Sequence, residues 1–365
     1  MSESATSPIA PVPASQVMLG TGMLATREHT NAAVTVPYCL SRCEETGRID
    51  NFDAAAAVDP RRFSGSHFND SDVFKVIEGV ASVLAKRNDP DLEASADSII
   101  GRIAAAQEPD GYLFTIRTAG AVAGNRDAGI DRWANTALSH ELYNLGHLYE
   151  AAVAYAEATG KTGLLEVAAK SAELLVETFG PGRREDIPGH QEVEIGLMKL
   201  ARKTGRERYE KLARFFLDAR GRRHQATMER PDLDRYVQNH LPVVQQTEAV
   251  GHCVRALYMY LAMTEVALYG GDDAYGQAVQ GLWQDVVKRK LYLTGGLGSR
   301  PEFEGFAGAY ELPNDTAYGE TCAAVASVMW SHRLFLLFGN ADYMDVLERT
   351  LFNGLLAGIS LAGNT

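Results

Sequence analysis

The sequence predicts an all-α chain, closed as a toroid of paired helices, and three observations carry that prediction. Long stretches place apolar residues at a spacing near 3.6, with few β-branched runs. Four junctions between such stretches look alike: AEATGKTGLLEVA, ARKTGRERYEKLA, VALYGGDDAYGQAV and FLLFGNADYMDVLE. Each ends an apolar helix on a glycine, turns through a few polar residues, and reopens on an aromatic or leucine; a glycine there can take the left-handed backbone that closes a helix. Thirdly, the marker glycines, Gly160, Gly205, Gly271 and Gly339, lie 45, 66 and 68 residues apart. A solenoid of helical repeats would keep a tighter period. Irregular intervals suit one large ring-shaped domain with long inserts at one mouth.

In chain order, residues 1–16 are rich in Pro, Ser and Ala and read as disordered. Val17 to Val36 mixes Gly, Thr and short apolar stretches, which predicts a short β-containing N-terminal segment of one or two strands. The helical spacing follows Pro37. It predicts helices at Val73 to Lys86, Leu92 to Gln107, Leu138 to Ala158, Leu164 to Phe179 and Glu192 to Lys203. It continues through Tyr209 to Ala219, Ala249 to Tyr269, Tyr275 to Lys290, Thr321 to Phe338 and Tyr343 to Gly358. Two inserts break the pattern. Arg220 to Gln246 is polar, with several His and Arg, and Leu291 to Gly319 is dense in Gly, Pro, acids and aromatics. Long loops in a compact domain usually carry function.

Composition excludes more than it selects. The chain has 365 residues, 46% of them hydrophobic, and a formal charge of −12. Length alone suggests two domains, which the helical periods replace with one, residues 17–365. The acidic balance argues against a nucleic-acid partner, since phosphate binding needs a basic footprint. No stretch reaches the roughly 20 apolar residues of a membrane span, and MSESATSPIAPVPASQV has no positive, apolar leader pattern. Four cysteines in such a length are no disulfide framework. A reduced, cytoplasmic setting without membrane contact is the expectation, with room for a homodimer.

The second insert runs into Glu320-Thr321-Cys322 at the start of an apolar helix. Residues i and i+2 diverge on a helix, so the two side chains converge only if Glu320 sits on the loop or first turn. A helix N-terminus also favours a thiolate. The pair is a plausible hard and soft donor set for zinc; the ordinary reading is a helix-capping Glu and a core Cys. Glu302, Glu304 and Glu311 lie among Phe303, Phe306, Tyr310 and Tyr318. Carboxylates against aromatic walls are what a glycosidase uses; the ordinary reading is an acidic surface loop. His140, His190 and His252 each stand at or near the first turn of a predicted helix, beside a Glu or Gly. In a ring of helices such ends share a mouth. Singly, each would more often be structural. The chain has no HExxH and no phosphate-binding loop.

Together these stretches resemble glycoside hydrolase family 127, whose characterised members include β-L-arabinofuranosidases. The resemblance runs from about Phe68 to Thr365. It is carried by FNDSDVFKVIEG, EPDGYLFT, HELYNLGHLYEAA, PGHQEVEIGLMKLARKTG, GHCVRALYM, TGGLGSRPEFEGF, YELPNDTAYGETCA and DVLERTLFNGLLAG. It implies an (α/α)6 barrel and a retaining mechanism with a cysteine nucleophile held as a zinc thiolate. On matching positions it makes Glu320 and Cys322 two of four zinc ligands and Glu304 the general acid/base. It places His140, His190, His252 and Glu348 around the sugar, an L-arabinofuranoside, with Asp72 a weaker candidate.

The departure is in the remaining cysteines. The family's nucleophile and last zinc ligand form a Cys-Cys pair well downstream of the ETC motif, followed by β-sandwich domains. Cys39, Cys43 and Cys253 do not match it. The reading is therefore a C-terminally truncated member with half a zinc site, an incomplete barrel and little activity of its own. Three alternatives stay open: a non-catalytic sugar-binding remnant, a sugar epimerase or isomerase on the same kind of fold, and a two-carboxylate glycosidase using Glu304 and Glu320.

Overall fold

The structure, a computed structural model, describes residues 9–222 and 231–365. By its contacts the chain divides into two compact units. One comprises Val12–Ala213 with Ser360–Thr365; the other comprises Arg214–Ile359 with the residues up to Pro11.

The first unit opens with Met23–Thr30 (α1), a π turn at Asn31–Thr35, Val36–Glu45 (α2) and Asp50–Ala57 (α3). Asn69–Leu84 (α4), Pro90–Ala106 (α5), the short Thr115–Thr118 (α6), Glu141–Thr159 (α7), Gly163–Thr178 (α8) and Val193–Thr204 (α9) follow. Glu207–Ala219 (α10) leads to the second unit's Pro231–Tyr236 (α11), Cys253–Gly270 (α12), Asp273–Arg289 (α13), Thr321–Phe338 (α14) and Ala341–Arg349 (α15).

The helical periods thus predict the long helices from α4 to α14 closely, and all four junction glycines behave as expected; the last predicted helix, Tyr343 to Gly358, is α-helical only to Arg349 and continues as a π turn at Thr350–Leu355 and a 3-10 turn at Leu356–Gly358. Gly160, Gly205, Gly271 and Gly339 close α7, α9, α12 and α14 at φ of 76°, 69°, 66° and 69°. Asp272 and Asn340 then cap the next helices by accepting backbone N–H groups of residues two or three further on.

The N-terminal strands are not there. Among the described residues no strand forms, only three isolated β-bridges, and Val17 to Val36 contains α1 and the π turn instead. Burial overrides the weak β preference of its Thr and Val residues: Ala32 and Val36 point into the core, and Thr26 satisfies its hydroxyl on the Gly22 carbonyl at 3.1 Å. The first 16 residues, read as disordered, include a 3-10 turn at Ala14–Gln16; residues 1–8 lie outside the described set. The polar insert at Arg220 to Gln246 contains α11, and its residues 223–230 also lie outside it.

In the first unit α7 is the hub, packed by α4, α8 and α9. A Cβ on Gly146 would come within 2.6 Å of the Glu192 backbone, and one on Gly196 within 2.5 Å of the Gly146 carbonyl oxygen. Helices α7 and α9 therefore meet backbone to backbone, which only glycine permits at these two positions. In the second unit α12 is the hub, packed by α13 and α14. Helix α14 is the one described helix long and apolar enough to cross a membrane. Its Ala323, Ala324, Trp330 and Leu334 are buried within the unit, as in a core helix.

Candidate active site

The second unit gathers Glu304, His252, Tyr318, Glu320 and Cys322. Two backbone devices hold them. Gly251, at φ +72°, precedes the His252 cap of α12, and a Cβ there would meet the Arg235 carbonyl oxygen at 2.1 Å. Glu304 itself sits at φ +55°, a left-handed conformation that costs a non-glycine residue about 1–3 kcal/mol and persists only where its surroundings enforce it. The enforcing bonds run from the Cys253 N–H to the Glu304 carbonyl at 3.0 Å, from the Gly305 N–H to Arg300 O at 3.0 Å and from the Phe306 N–H to Gly251 O at 2.9 Å.

The side chains then meet. His252 Nδ1 accepts the Arg255 backbone N–H at 3.4 Å, which assigns the proton to Nε2. That Nε2–H donates to Glu304 Oε2 at 2.9 Å, and the Tyr318 hydroxyl donates to Oε1 at 3.2 Å. The His252 bond, with the hydroxyl and the nearby Arg255 cation, holds the Glu304 carboxyl below its usual range. Burial moves the carboxyl of Glu320 the other way, helped by the Glu304 charge and opposed by a hydrogen bond with Cys322. Two neighbouring carboxyls are thereby split, one favoured as anion and one as acid.

Neither ordinary reading of the ETC motif describes what is found. Glu320 is the cap residue of α14, but its side chain makes no capping bond. Cys322 is exposed, not a core thiol. Glu320 Oε2 is buried with no hydrogen-bond partner among the described residues, a costly arrangement unless a cation completes it. His252, Glu304 and Glu320 each offer a ligand atom, all within 4.8 Å of one another. This donor set of carboxylate, imidazole and nearby thiol fits zinc.

The first unit gathers the histidines. His140 caps α7 at φ +60°. The turn is pinned by buried Glu141, which accepts the Tyr112 hydroxyl at 2.5 Å and the Trp133 N–H and Ser139 hydroxyl at 3.1 Å each. His140 Nδ1 lies 2.8 Å from Leu138 O and 3.3 Å from His67 Nε2. Gly189 lets the His190 segment in, because a Cβ there would meet Ala137 O at 1.8 Å. The ring of His190 lies 5.6 Å from that of His140 and 4.3 Å from that of Tyr143. Burial lowers the pKa of His67.

The remaining candidates stand apart from these contacts. Asp72 pairs with Arg48 at 2.8 Å and lies 3.8 Å from Lys75, whose ammonium covers the Tyr143 ring. Glu348 is exposed on α15, Glu302 is exposed beside Glu304, and Glu311 is taken by Arg300. A second group with metal-like spacing, buried His147, Glu150 and Glu192, already has a cation, since Lys199 pairs with Glu150. Sequence reasoning passed over His67 and Tyr143. Tyr143 was findable, three residues along α7 from His140 and so on the same face; His67, ahead of α4, carried no periodic signal.

Comparison with known proteins gives the chain a family. A family model described as the β-L-arabinofuranosidase, GH127 catalytic domain, matches residues 16–365. A non-reducing end β-L-arabinofuranosidase of Bifidobacterium longum subsp. longum is 39% identical over 332 residues, covering 86% of this chain and 50% of the relative. A solved GH127 β-arabinofuranosidase matches at a TM-score of 0.92 and 45% identity, over 98% of this chain and 56% of that one. A GH127 β-L-arabinofuranosidase from Geobacillus stearothermophilus T6 matches at 0.88 and 40%, over 95% and 57%. The chain spans about half the length of these relatives.

Proposed function

The chain belongs to glycoside hydrolase family 127, and from that premise we propose that it serves the hydrolysis of β-L-arabinofuranosides. The observation that carries the proposal is Glu304, held in a strained backbone between His252 and Tyr318 beside a buried, uncapped Glu320. In this reading Glu304 is the general acid/base. Its two hydrogen-bond donors keep it ionised at rest, ready to take a proton from attacking water; acting as acid toward the glycosidic oxygen requires it first to acquire one. Glu320 and Cys322 would hold zinc, whose chemistry is to lower a thiol's pKa and orient the sulfur. Glu320 must lose its proton to do so, so metal binding strengthens as pH rises. His140, His190, His252, Asp72 and Glu348 are proposed as sugar-binding residues, and the barrel closure expected from the helix pairs belongs to the same proposal.

A second reading has its own observation. Glu304 and Glu320 present oxygens within 4.8 Å, and a retaining two-carboxylate site places its carboxyls about 5–5.5 Å apart. Their oppositely shifted pKa values fit that pairing as well, with Glu320 as acid and Glu304 as nucleophile.

An aryl β-L-arabinofuranoside assayed with and without zinc separates the readings. Zinc-dependent release abolished by Cys322→Ser supports the first. Release indifferent to zinc and to that change supports the second. Saturable binding without release leaves a sugar-binding protein, and neither binding nor release overturns the proposal.

A further inference from the structure

Lys290 closes α13 and opens the long insert, and it is a charged side chain only 2% exposed. A buried ammonium is expensive unless each of its three N–H groups finds an acceptor. All three do. Nζ donates to Ala249 O at 2.6 Å, to Glu248 Oε1 at 3.0 Å and to Ala307 O at 3.1 Å. Asp285, whose Oδ2 lies 4.0 Å from Nζ, accepts the Ala249 N–H at 2.9 Å, so the same backbone unit is gripped on both sides. The ammonium also lies 5.8 Å from the centre of the Phe306 ring.

Both carbonyls lie close in the chain to a side chain of the site. Ala249 stands three residues before His252, and Ala307 stands three residues after Glu304. One ammonium therefore ties together the length of chain that presents the imidazole and the length that presents the carboxylate. Between these ties run the bonds from Phe306 to Gly251 and from Cys253 to Glu304, and inside them lies the strained φ of Glu304. A methionine would fill the same volume but hold neither carbonyl.

We infer that Lys290 is a positioning residue for the His252–Glu304 pair, fixing their separation through the backbone rather than by touching either side chain. The inference rests on the reading of Glu304 as acid/base only for its effect on cleavage; its effect on geometry is independent of that reading.

The test is amide hydrogen exchange on the full chain, comparing wild type with Lys290→Met and Lys290→Arg. The inference expects exchange at the Cys253 and Phe306 amides to rise at least tenfold in Lys290→Met, with the α14 amides within twofold of wild type. Arginine keeps the charge, but its planar fork aims its donors differently; the same two amides should loosen by a smaller factor, which also covers the case that the methionine variant does not fold. Where the chain cleaves an aryl β-L-arabinofuranoside, kcat falls at least tenfold with KM within twofold. Unchanged exchange at both amides overturns the inference, and so does a uniform rise across α12 to α14, which would mark Lys290 as an ordinary core residue. Failure of cleavage with the local exchange pattern intact would count against the hydrolase reading alone.

Discussion

The histidine cluster at the start of α7 and the carboxylate cluster around Glu304 are both held by left-handed residues at element ends, yet they are built for different things. The first consists of rings: His67, His140, His190 and Tyr143 lie edge to tilted against one another, on a helix end pinned by a fully bonded Glu141. Burial disfavours charge on His67. Such a cluster offers flat ring faces beside ring nitrogens, the kind of lining on which the sugar-binding proposal rests. The second consists of two carboxyls with opposed proton preferences, an exposed thiol and a buried oxygen without a partner. It stores strain, charge and an unmet coordination need, which are the marks of a reactive centre. On the proposed reading the bond chemistry falls to the second cluster, while sugar contacts come from both, His140 and His190 in the first and His252 in the second.

Glu304→Gln probes that division hardest. Removing a general acid/base costs about 10²–10⁴-fold in rate, so where the chain cleaves an aryl β-L-arabinofuranoside, that cleavage should fall by this factor with sugar affinity little changed. A rate within threefold of wild type would move the chemistry elsewhere.

Asp70→Asn probes how strongly the first unit rejects charge. Asp70 is buried beneath the α4 start, accepts the Thr115 N–H and hydroxyl at 2.9 and 2.5 Å, and burial pushes it up to about 6 from 3.8. A raised carboxyl is stabilised in its protonated form. Its contribution is fully present below pH 3.8 and is lost as pH rises through about 6. Asparagine should therefore match wild type in acid and gain stability relative to it toward pH 7, by about 3 kcal/mol at most. Urea unfolding from pH 4 to 7.5 reads this directly, and parallel pH curves for the two proteins would contradict it.

Cys322→Ser sharpens the second cluster. Loss of the thiol should weaken zinc binding at least 10- to 100-fold, the range that even outer-shell partners command, and should abolish the thiolate-to-metal charge-transfer band of the cobalt-loaded chain. A band that survives the change would assign the sulfur to another cysteine.

The smallest effect is expected from His140→Ala. One lost hydrogen bond and ring contact is worth about 1–1.5 kcal/mol, or roughly tenfold in sugar affinity. Equal affinity would strip the histidine cluster of its role.

Much of this was legible in the sequence where local rules dominate. Helical period and C-terminal glycines located the long helices, because packing of an apolar face and the left-handed cap act within a few residues. The N-terminal stretch misled, because its Thr and Val residues carry only weak preferences that burial of Ala32 and Val36 overrides. Glu320, Cys322 and the histidines were legible as residue types beside helix starts, and Glu304 as a carboxylate among aromatics in the long insert. Their geometry was not: the φ of Glu304, the Nε2–H bond from His252 and the ties of Lys290 depend on segments about 40 to 55 residues apart in sequence, where no periodicity points.

The division between the two clusters meets its most direct test in a saturation-transfer NMR titration of methyl β-L-arabinofuranoside against wild type, His140→Ala and Glu304→Gln. Saturable transfer is predicted for wild type and Glu304→Gln, with roughly tenfold weaker affinity for His140→Ala. No transfer to the wild-type chain, or an affinity that falls with Glu304→Gln and not with His140→Ala, would contradict it.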